Sequence, residues 1–552
     1  MKKFYLVMVA ICCLSLSCSG SEPAGVGVDV EELDAQEDLS ESLANDLIAM
    51  SLAVRKADGD RLDDFWASRV TGTPLGVPSA DPRVVANQVS KIEWKLDGSL
   101  AEFDRDLYLE QLVALIADYE SVEDVRFKVK RAEFMAAGSR AKADLKFFVV
   151  GRQSSGRREW IKGLVTVETS RVEGGPWQIE RFELTQLKKL QTELEWFSEV
   201  SGPAGLNEAF PLFGKGANDG FVNHGAAAAD LNQDGFVDIV ATGVSGNFLY
   251  LNSGDGTFID ASESSLIKFT PPGSGLVLLD YDNDGDRDLF VARVGEQLLL
   301  ENRLIPDGSL LFHDVSLAAG VSQEAIGFSV VSADVNNDSW PDIYVTSYNR
   351  YGTVMPNSWT GATNGTRNLL FVSTGEGAYV EDAESWGVAD SRWSYAAQFI
   401  DLDVDGDQDL YVANDFGDNA FYQNEGGRFE DRSAAMGIVD SGFGMGVSFG
   451  DYDRDGDFDL HVTNMSSTAG KRILQLLYPE DHPMRLSLDK QAEGNSLYQN
   501  QGDGTFLNVS ADVGGLGGGW AFGGGFVDLD GDGWEDIHTP NGFVSGETMK
   551  DT

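Results

Sequence analysis

Apolar positions in the first two hundred residues change their period once. From Val30 to Ala57, Leu39, Leu43, Leu47 and Ile48 fall at helical spacing, which predicts a helix with one buried face. A second, short helix is expected over Arg61–Val70. Prolines around 75–85 then interrupt the pattern, and a third helix is expected from Asp104 to Tyr119, with Leu107, Leu112, Leu115 and Ile116 as its stripe. Beyond it the period becomes two. Val125, Phe127 and Val129 alternate with Arg126, Lys128 and Lys130, and half-buried strands fit 141–150, 159–169 and 176–187. Helices followed by antiparallel strands make an α+β domain.

From about Phe197 a different rhythm takes over. Short alternating runs such as DLFVA, DIYVT and DLYVA each follow an acidic turn, and the first aspartates of these turns are Asp230, Asp280, Asp334, Asp401, Asp451 and Asp528. A second signature places glycines before an aromatic strand: LNSGDGTFIDAS at Leu251, STGEGAYVEDA at Ser373, QNEGGRFEDRS at Gln423 and QNQGDGTFLNVS at Gln499. The acidic turns lie 50, 54, 67, 50 and 77 residues apart, with the excess in polar insertions near 350–366 and 465–494. A unit of about 50 residues holding several short strands has the size of one four-stranded propeller blade. Small residues precede the turns, as in GAAAAD ending at Asp230, and suit crowded innermost strands.

The turns carry the chemistry. A hard divalent cation needs converging oxygen donors, which a nine-residue turn supplies from side chains at positions 1, 3, 5 and 9 and from the carbonyl at position 7, with glycine at 6 allowing the bend. Loop 2 offers Asp280, Asp282, Asp284 and Asp288; loop 4, Asp401, Asp403, Asp405 and Asp409; loop 5, Asp451, Asp453, Asp455 and Asp459. Loop 6 offers Asp528, Asp530, Asp532 and Asp536, and loop 1 offers Asp230, Asn232, Asp234 and Asp238. Loop 3, with Asp334, Asn336, Asp338 and Asp342, has Ser339 in place of the glycine and Pro341 before its last ligand, so it should be the weakest. One such turn reads equally well as aspartates capping their own backbone. Six of them, with up to five carboxylates in nine residues, point to as many as six bound Ca2+ ions. Position 12 is Ala241 in loop 1 and Val291 in loop 2, where an EF-hand needs a bidentate glutamate.

These loops, their strand context and the GDGTF tails resemble FG-GAP or VCBS repeats, as in the propellers of integrin alpha subunits and of cartilage-acidic-protein-type chains. The resemblance covers roughly 197–545. It implies a mainly β chain whose FG-GAP-type β-propeller has about seven blades, one calcium loop between the first two strands of most blades, and ligand contacts made by other loops. Six loops leave two readings open: fewer blades, or a reading frame cut short at Thr552. The helices and strands before the repeats resemble an NTF2-like or cystatin-like domain in order and size.

Charge and cysteine usage place the chain. The formal net charge is -48, which argues against unaided binding to nucleic acid or anionic lipid. Odd positions of the six loops hold 25 aspartates, so much of the excess sits where cations would neutralise it. By contrast 121–200 carries 15 of the 41 Lys and Arg residues. Cys12, Cys13 and Cys18 all lie at the start, leaving the rest without a thiol. Lys2 and Lys3, the apolar stretch Phe4–Leu16 and the ensuing Ser17-Cys18-Ser19-Gly20 read as a signal peptide over 1–18 with Cys18 as a lipidation site, although Ser15 stands where leucine is usual. A tether over 19–30, an α+β domain over 31–192 and the repeats over 193–552 follow. The expected location is the outer membrane or cell surface as a lipoprotein, with secretion or a periplasmic location as alternatives.

Enzyme motifs are weak. Gly446-Val447-Ser448-Phe449-Gly450 matches a hydrolase elbow, but Ser448 falls on a strand entering loop 5, where the elbow needs a strand, a strained turn and a helix. The five histidines have no zinc spacing, and His461 and His538 read as packing residues. The expected function is binding or adhesion to a protein or glycan, with contact to membrane only through the lipid anchor and without catalysis. The alternative is an enzyme acting on polysaccharide or phosphoester substrates with the propeller as platform.

Overall fold

The computed structural model describes residues 30–540 apart from 57, 76–81, 87, 173, 196, 207–224, 244–245, 350–353, 359–360, 467–481, 516 and 520. The expected signal peptide with Cys18, the tether up to residue 29, Trp196 and the chain after 540 lie outside the described residues. The chain forms two compact units that divide between Ser198 and Glu199.

In the first unit the helical spacing forms α1 (Val30–Arg55), whose Leu43, Leu47, Met50 and Ala53 are buried. The alternating segments form β5 (Tyr119–Met135), β6 (Arg140–Gln153), β7 (Arg158–Ser170) and β8 (Gln178–Thr192), an antiparallel meander in that order. One face of it, including Leu145, Phe147, Ile161, Val165, Val167, Phe182 and Leu184, closes on α1. Each large apolar side chain buried there contributes about 1.5–3 kcal/mol.

Two expectations need correction. The segment Arg61–Val70 is not a helix. After one helical turn at Gly59–Leu62, residues 66–72 form strand β1 (Trp66–Gly72), which is followed by β2 (Arg83–Ala86), β3 (Val89–Glu93) and β4 (Ala101–Asp104) and pairs antiparallel with β4 and parallel with β8. Leu62, Phe65, Trp66 and Val70 are all buried, so a spacing compatible with a helix is used partly by a strand because a free edge of β8 takes it. The third helix runs only from Arg105 to Ala114, capped by Asp104, whose side chain accepts from the Asp106 N–H. It buries Tyr108, while Leu107 of the expected stripe is exposed.

The second unit is a succession of antiparallel sheets, each made from one repeat. The first two, each four-stranded, are β9–β12 (Ala226–Ala229, Asp238–Gly243, Gly246–Asn252, Phe258–Asp260) and, in the next repeat, Leu276–Leu279, Asp288–Val291, Leu298–Asn302 and Phe312–Asp314. The third begins with Glu324–Ala333 and Asp342–Ser347, and takes in the short strand Val294–Glu296 as a fifth member. The fourth begins with Trp393–Ile400 and Asp409–Phe416, and the fifth with Gly444–Gly450 and Asp459–Asn464. A hairpin of Gly525–Val527 and Asp536–His538 ends the described series.

Consecutive sheets pack face to face, and the side chain ten residues after each loop's first aspartate recurs in that contact. Phe290 meets Phe371 of the next sheet at 5.9 Å between ring centroids, Tyr344 meets Phe399 at 6.3 Å, Tyr411 meets Phe449 at 6.1 Å, and His461 meets Phe526 at 6.0 Å. His461 is thus a packing residue, and burial lowers its pKa to about 4. His538, by contrast, is exposed. The first strands of successive sheets neighbour one another in order along the series. Their small residues make that approach possible: a Cβ on Gly225 would lie 2.3 Å from the Ser274 carbonyl oxygen, and one on Gly275 would lie 2.7 Å from that of Phe328.

Candidate metal centres

Every acidic turn joins the first strand of its sheet to the second, whose opening residue is the aspartate at position 9. The turn closes around position 1. One oxygen of Asp280 accepts from the N–H of Asp284 at 3.0 Å, and the other accepts from Gly285 at 3.1 Å. The same pair of bonds recurs on Asp230, Asp334, Asp401, Asp451 and Asp528. Position 5 then accepts from the N–H at position 7, as Asp234 does from Phe236, Asp338 from Trp340 and Asp532 from Trp534. Position 6 has positive φ throughout: it is 101° at Gly285, and 72° at Ser339, which carries a side chain where the backbone favours none.

The position-9 aspartates join loop to sheet. Asp288 accepts from Tyr281 N–H within the loop at 3.1 Å and from Asn302 N–H on the third strand at 2.8 Å. Asp238, Asp342, Asp409 and Asp459 repeat both bonds. All five are buried. Burial pushes the pKa of Asp288 up to about 8, those of Asp409 and Asp459 to about 7, and that of Asp342 to about 6, in each case against the opposing effect of the backbone bonds. Neighbouring loop carboxylates add repulsion in the same direction. A carboxylate in such surroundings is poorly tolerated as a bare anion.

Carboxylate oxygens converge in four loops. Asp280, Asp282 and Asp288 lie within 4.8 Å of one another, as do Asp401, Asp403 and Asp405; Asp451, Asp453 and Asp459; and Asp528, Asp530 and Asp536. In loops 1 and 3 three carboxylates are not brought together among the described residues. There the position-3 amide donates to the position-5 carboxylate, Asn232 to Asp234 and Asn336 to Asp338, each at 2.9 Å. An all-oxygen set of two to four carboxylates plus carbonyls suits a hard cation such as Ca2+. A further sign of fit is Asp453 Oδ1, a buried oxygen without a hydrogen-bond partner. The residues that would hold the ion are therefore those at positions 1, 3, 5 and 9.

Several contributors escape a reading of the turns alone. Gln423 Nε2 donates to Asp403 and Gln499 Nε2 to Asp453, each at 2.5 Å, orienting the position-3 carboxylates from the third strand. The asparagine that follows each of these glutamines also holds the loop: Asn424 and Asn500, like Asn252 and Asn302, donate to the carbonyl of position 8. Their signal was the QN pair opening two of the glycine tails. Position 7 also does more than offer a carbonyl, since Asp286 is buried and accepts from the Ile305 N–H at 2.7 Å. In loops 3 and 6 that position places an indole on the turn; Trp534 lies under the guanidinium of Arg454, 4.5 Å from its ring centroid. Ser448 sits within the strand Gly444–Gly450, in register with His461, and its hydroxyl accepts from the Phe526 N–H at 3.3 Å. It has no elbow around it.

Comparison with known proteins bears on the repeats. The FG-GAP-like repeat family matches residues 230–291, 280–345, 401–462 and 486–539. Cartilage acidic protein 1 of Xenopus tropicalis is 28% identical over 149 residues, which is 27% of this chain and 21% of that protein, so the chain matches about a fifth of the curated relative's length. Among solved structures, a lectin of Agrocybe aegerita that recognises non-reducing terminal N-acetylglucosamine aligns over 67% of this chain and 82% of its own, at 14% identity and a TM-score of 0.31. An NTF2-like family protein of Streptomyces avermitilis aligns over 27% of this chain and 94% of its own, at 13% identity and a TM-score of 0.18.

Proposed function

We infer, from a chain that carries FG-GAP-like repeats, that its second unit is a calcium-stabilised β-propeller presenting a binding surface for a protein or glycan, exported and held at a membrane through lipid on Cys18. The sheets are its blades, and the closely approaching first strands surround its axis. The ions act structurally. Each draws the position-1, position-3 and position-5 oxygens of a turn onto the position-9 carboxylate, which in loops 1–5 is already bonded to the third strand, and so fixes the turn to its sheet.

The observation that carries this reading is the convergence of three carboxylates in each of four turns, together with buried position-9 groups whose pKa is displaced upward. The Ser448 motif lies within a sheet. The function we infer is display rather than turnover. The test is a screen of the full chain against glycan and surface-protein panels in calcium and in chelator. Retention of a ligand in calcium and its loss in chelator is the expected result. Robust hydrolysis of a polysaccharide or phosphodiester, abolished by substituting one cleft, would overturn it.

A further inference from the structure

Side chains at position 4 of the loops do not face their own turn. In each loop this residue has a left-handed backbone, with φ of 59° at Gln233, 56° at Asn283, 57° at Asn337, 59° at Val404, 60° at Arg454 and 72° at Gly531. In loops 1–3 its side chain reaches the sharp bend of the following loop. Gln233 Nε2 donates to the Gly285 carbonyl at 2.9 Å, Asn283 Nδ2 to that of Ser339 at 3.2 Å, and Asn337 Nδ2 to that of Gly406 at 3.5 Å. Asn337 also donates to the Asp407 carboxylate at 2.6 Å. Each acceptor is position 6 or 7 of the next loop, between the position-5 carboxylate and the position-7 carbonyl that would face an ion. Arg454 reaches the same place on loop 6, lying over Trp534.

A second set of bonds runs along the same series. Asn302, on the third strand of the second sheet, donates to the Leu231 carbonyl at position 2 of loop 1, at 3.2 Å. Asn424 donates likewise to Val335 at position 2 of loop 3, at 2.8 Å. The second kind spans two of the junctions, Ser373 standing at the corresponding place of the third sheet, and among the described residues both kinds are missing together between loops 4 and 5. Val404 has no donor to offer loop 5 and is 83% exposed, and among the described residues the Asn500 side chain donates to the Phe458 carbonyl of its own repeat and makes no bond to loop 4.

We propose that the loops load cations as two coupled groups, loops 1–4 and loops 5–6, joined by the position-4 side chains and separated at Val404. An ion closing one turn fixes its position-4 residue in the left-handed conformation. That presents a donor which holds the bend of the next turn in its closed form, so the next ion meets a preformed site. Binding that orders one site lowers what must be ordered at its neighbour, which is positive coupling without a change of fold. The proposal rests on the calcium reading above and concerns which residues link one site to another.

The test is equilibrium calcium uptake by the full chain, measured by competition with a chromophoric chelator, for the native chain and three variants. Asn283→Gly keeps the backbone conformation and removes the donor; the uptake curve of the first group should flatten and its midpoint rise by about 5-fold. Val404→Asn supplies the missing donor and should merge the two groups into one steeper curve. Val404→Gly relieves the same backbone strain without a donor and should leave them separate, which distinguishes the link from a general stabilisation. Calcium taken up as independent sites, with curves unchanged in Asn283→Gly and Val404→Asn, would overturn the coupling and leave the calcium reading standing. No uptake would overturn both.

Discussion

Val404 shows how a single side chain can oppose its backbone. A β-branched residue with φ of 59° is strained, and its neighbours in the other loops at that position are mostly Asn, Gln or Gly, which accept the left-handed region more readily. Replacing it with asparagine should stabilise the second unit by about 1 kcal/mol, read as a higher melting temperature in calcium. The buried position-9 aspartates give a pH dependence of definite sign. Their folded pKa values, about 8 for Asp288 and about 7 for Asp409 and Asp459, lie above the unfolded value, so in metal-free protein they bind protons more tightly when folded. Their contribution is complete below about pH 4 and is lost as pH rises through 7 to 8. Melting in chelator should therefore occur at lower temperature at pH 8 than at pH 5.5, and calcium should reverse that trend; a chelated protein that gains stability toward pH 8 would contradict it. The turns that bring carboxylates together were legible from spacing, because an alternating aspartate pattern ending in a strand has few other uses. Position 4 was not, since the carboxamides of Gln233, Asn283 and Asn337 give way to Val404 and Arg454, and the backbone conformation reveals their common place.

At the scale of elements, close approach of first strands rests on glycine. Gly275 donates its N–H to the Phe328 carbonyl at 2.7 Å, and its Cα faces Ser329 of the next sheet. Gly275→Ala would set a methyl 2.7 Å from both, and should lower stability by about 1–3 kcal/mol in a denaturant titration. Asn424→Ala removes the bonds to Val335 and Gln408 and should cost about 1–2 kcal/mol by the same measurement. The sheets were legible because each repeat restates the same strands, and small residues before the turns indicated crowding. The first unit was less so. Its meander β5–β8 alternates cleanly, but β1 carries Trp66 and Val70 at a spacing that also suits a helix, and its partner β8 lies more than a hundred residues away. Local pattern cannot record which distant edge is free.

The whole molecule divides its chemistry unevenly. All the acidic turns belong to the second unit, while 121–200 in the first holds 15 of 41 basic residues. If each of six sites binds at ~0.1 mM in ~1 mM calcium, linkage supplies about 1.4 kcal/mol per site and roughly 8 kcal/mol together, comparable with a typical domain's net stability. Calorimetry of the full chain should accordingly show two transitions, of which chelator lowers only the one from the second unit. A single unshifted transition would contradict this. The indoles at position 7 add a means of watching individual turns fill. Trp340 and Trp534 occupy loops 3 and 6, whereas the other loops have Phe236, Asp286, Asp407 and Asp457 at that point. A luminescent lanthanide substituted for calcium and excited through tryptophan should glow chiefly from those two turns, one on either side of Val404, so that light emission can report the two groups of loops from a chain with no attached dye.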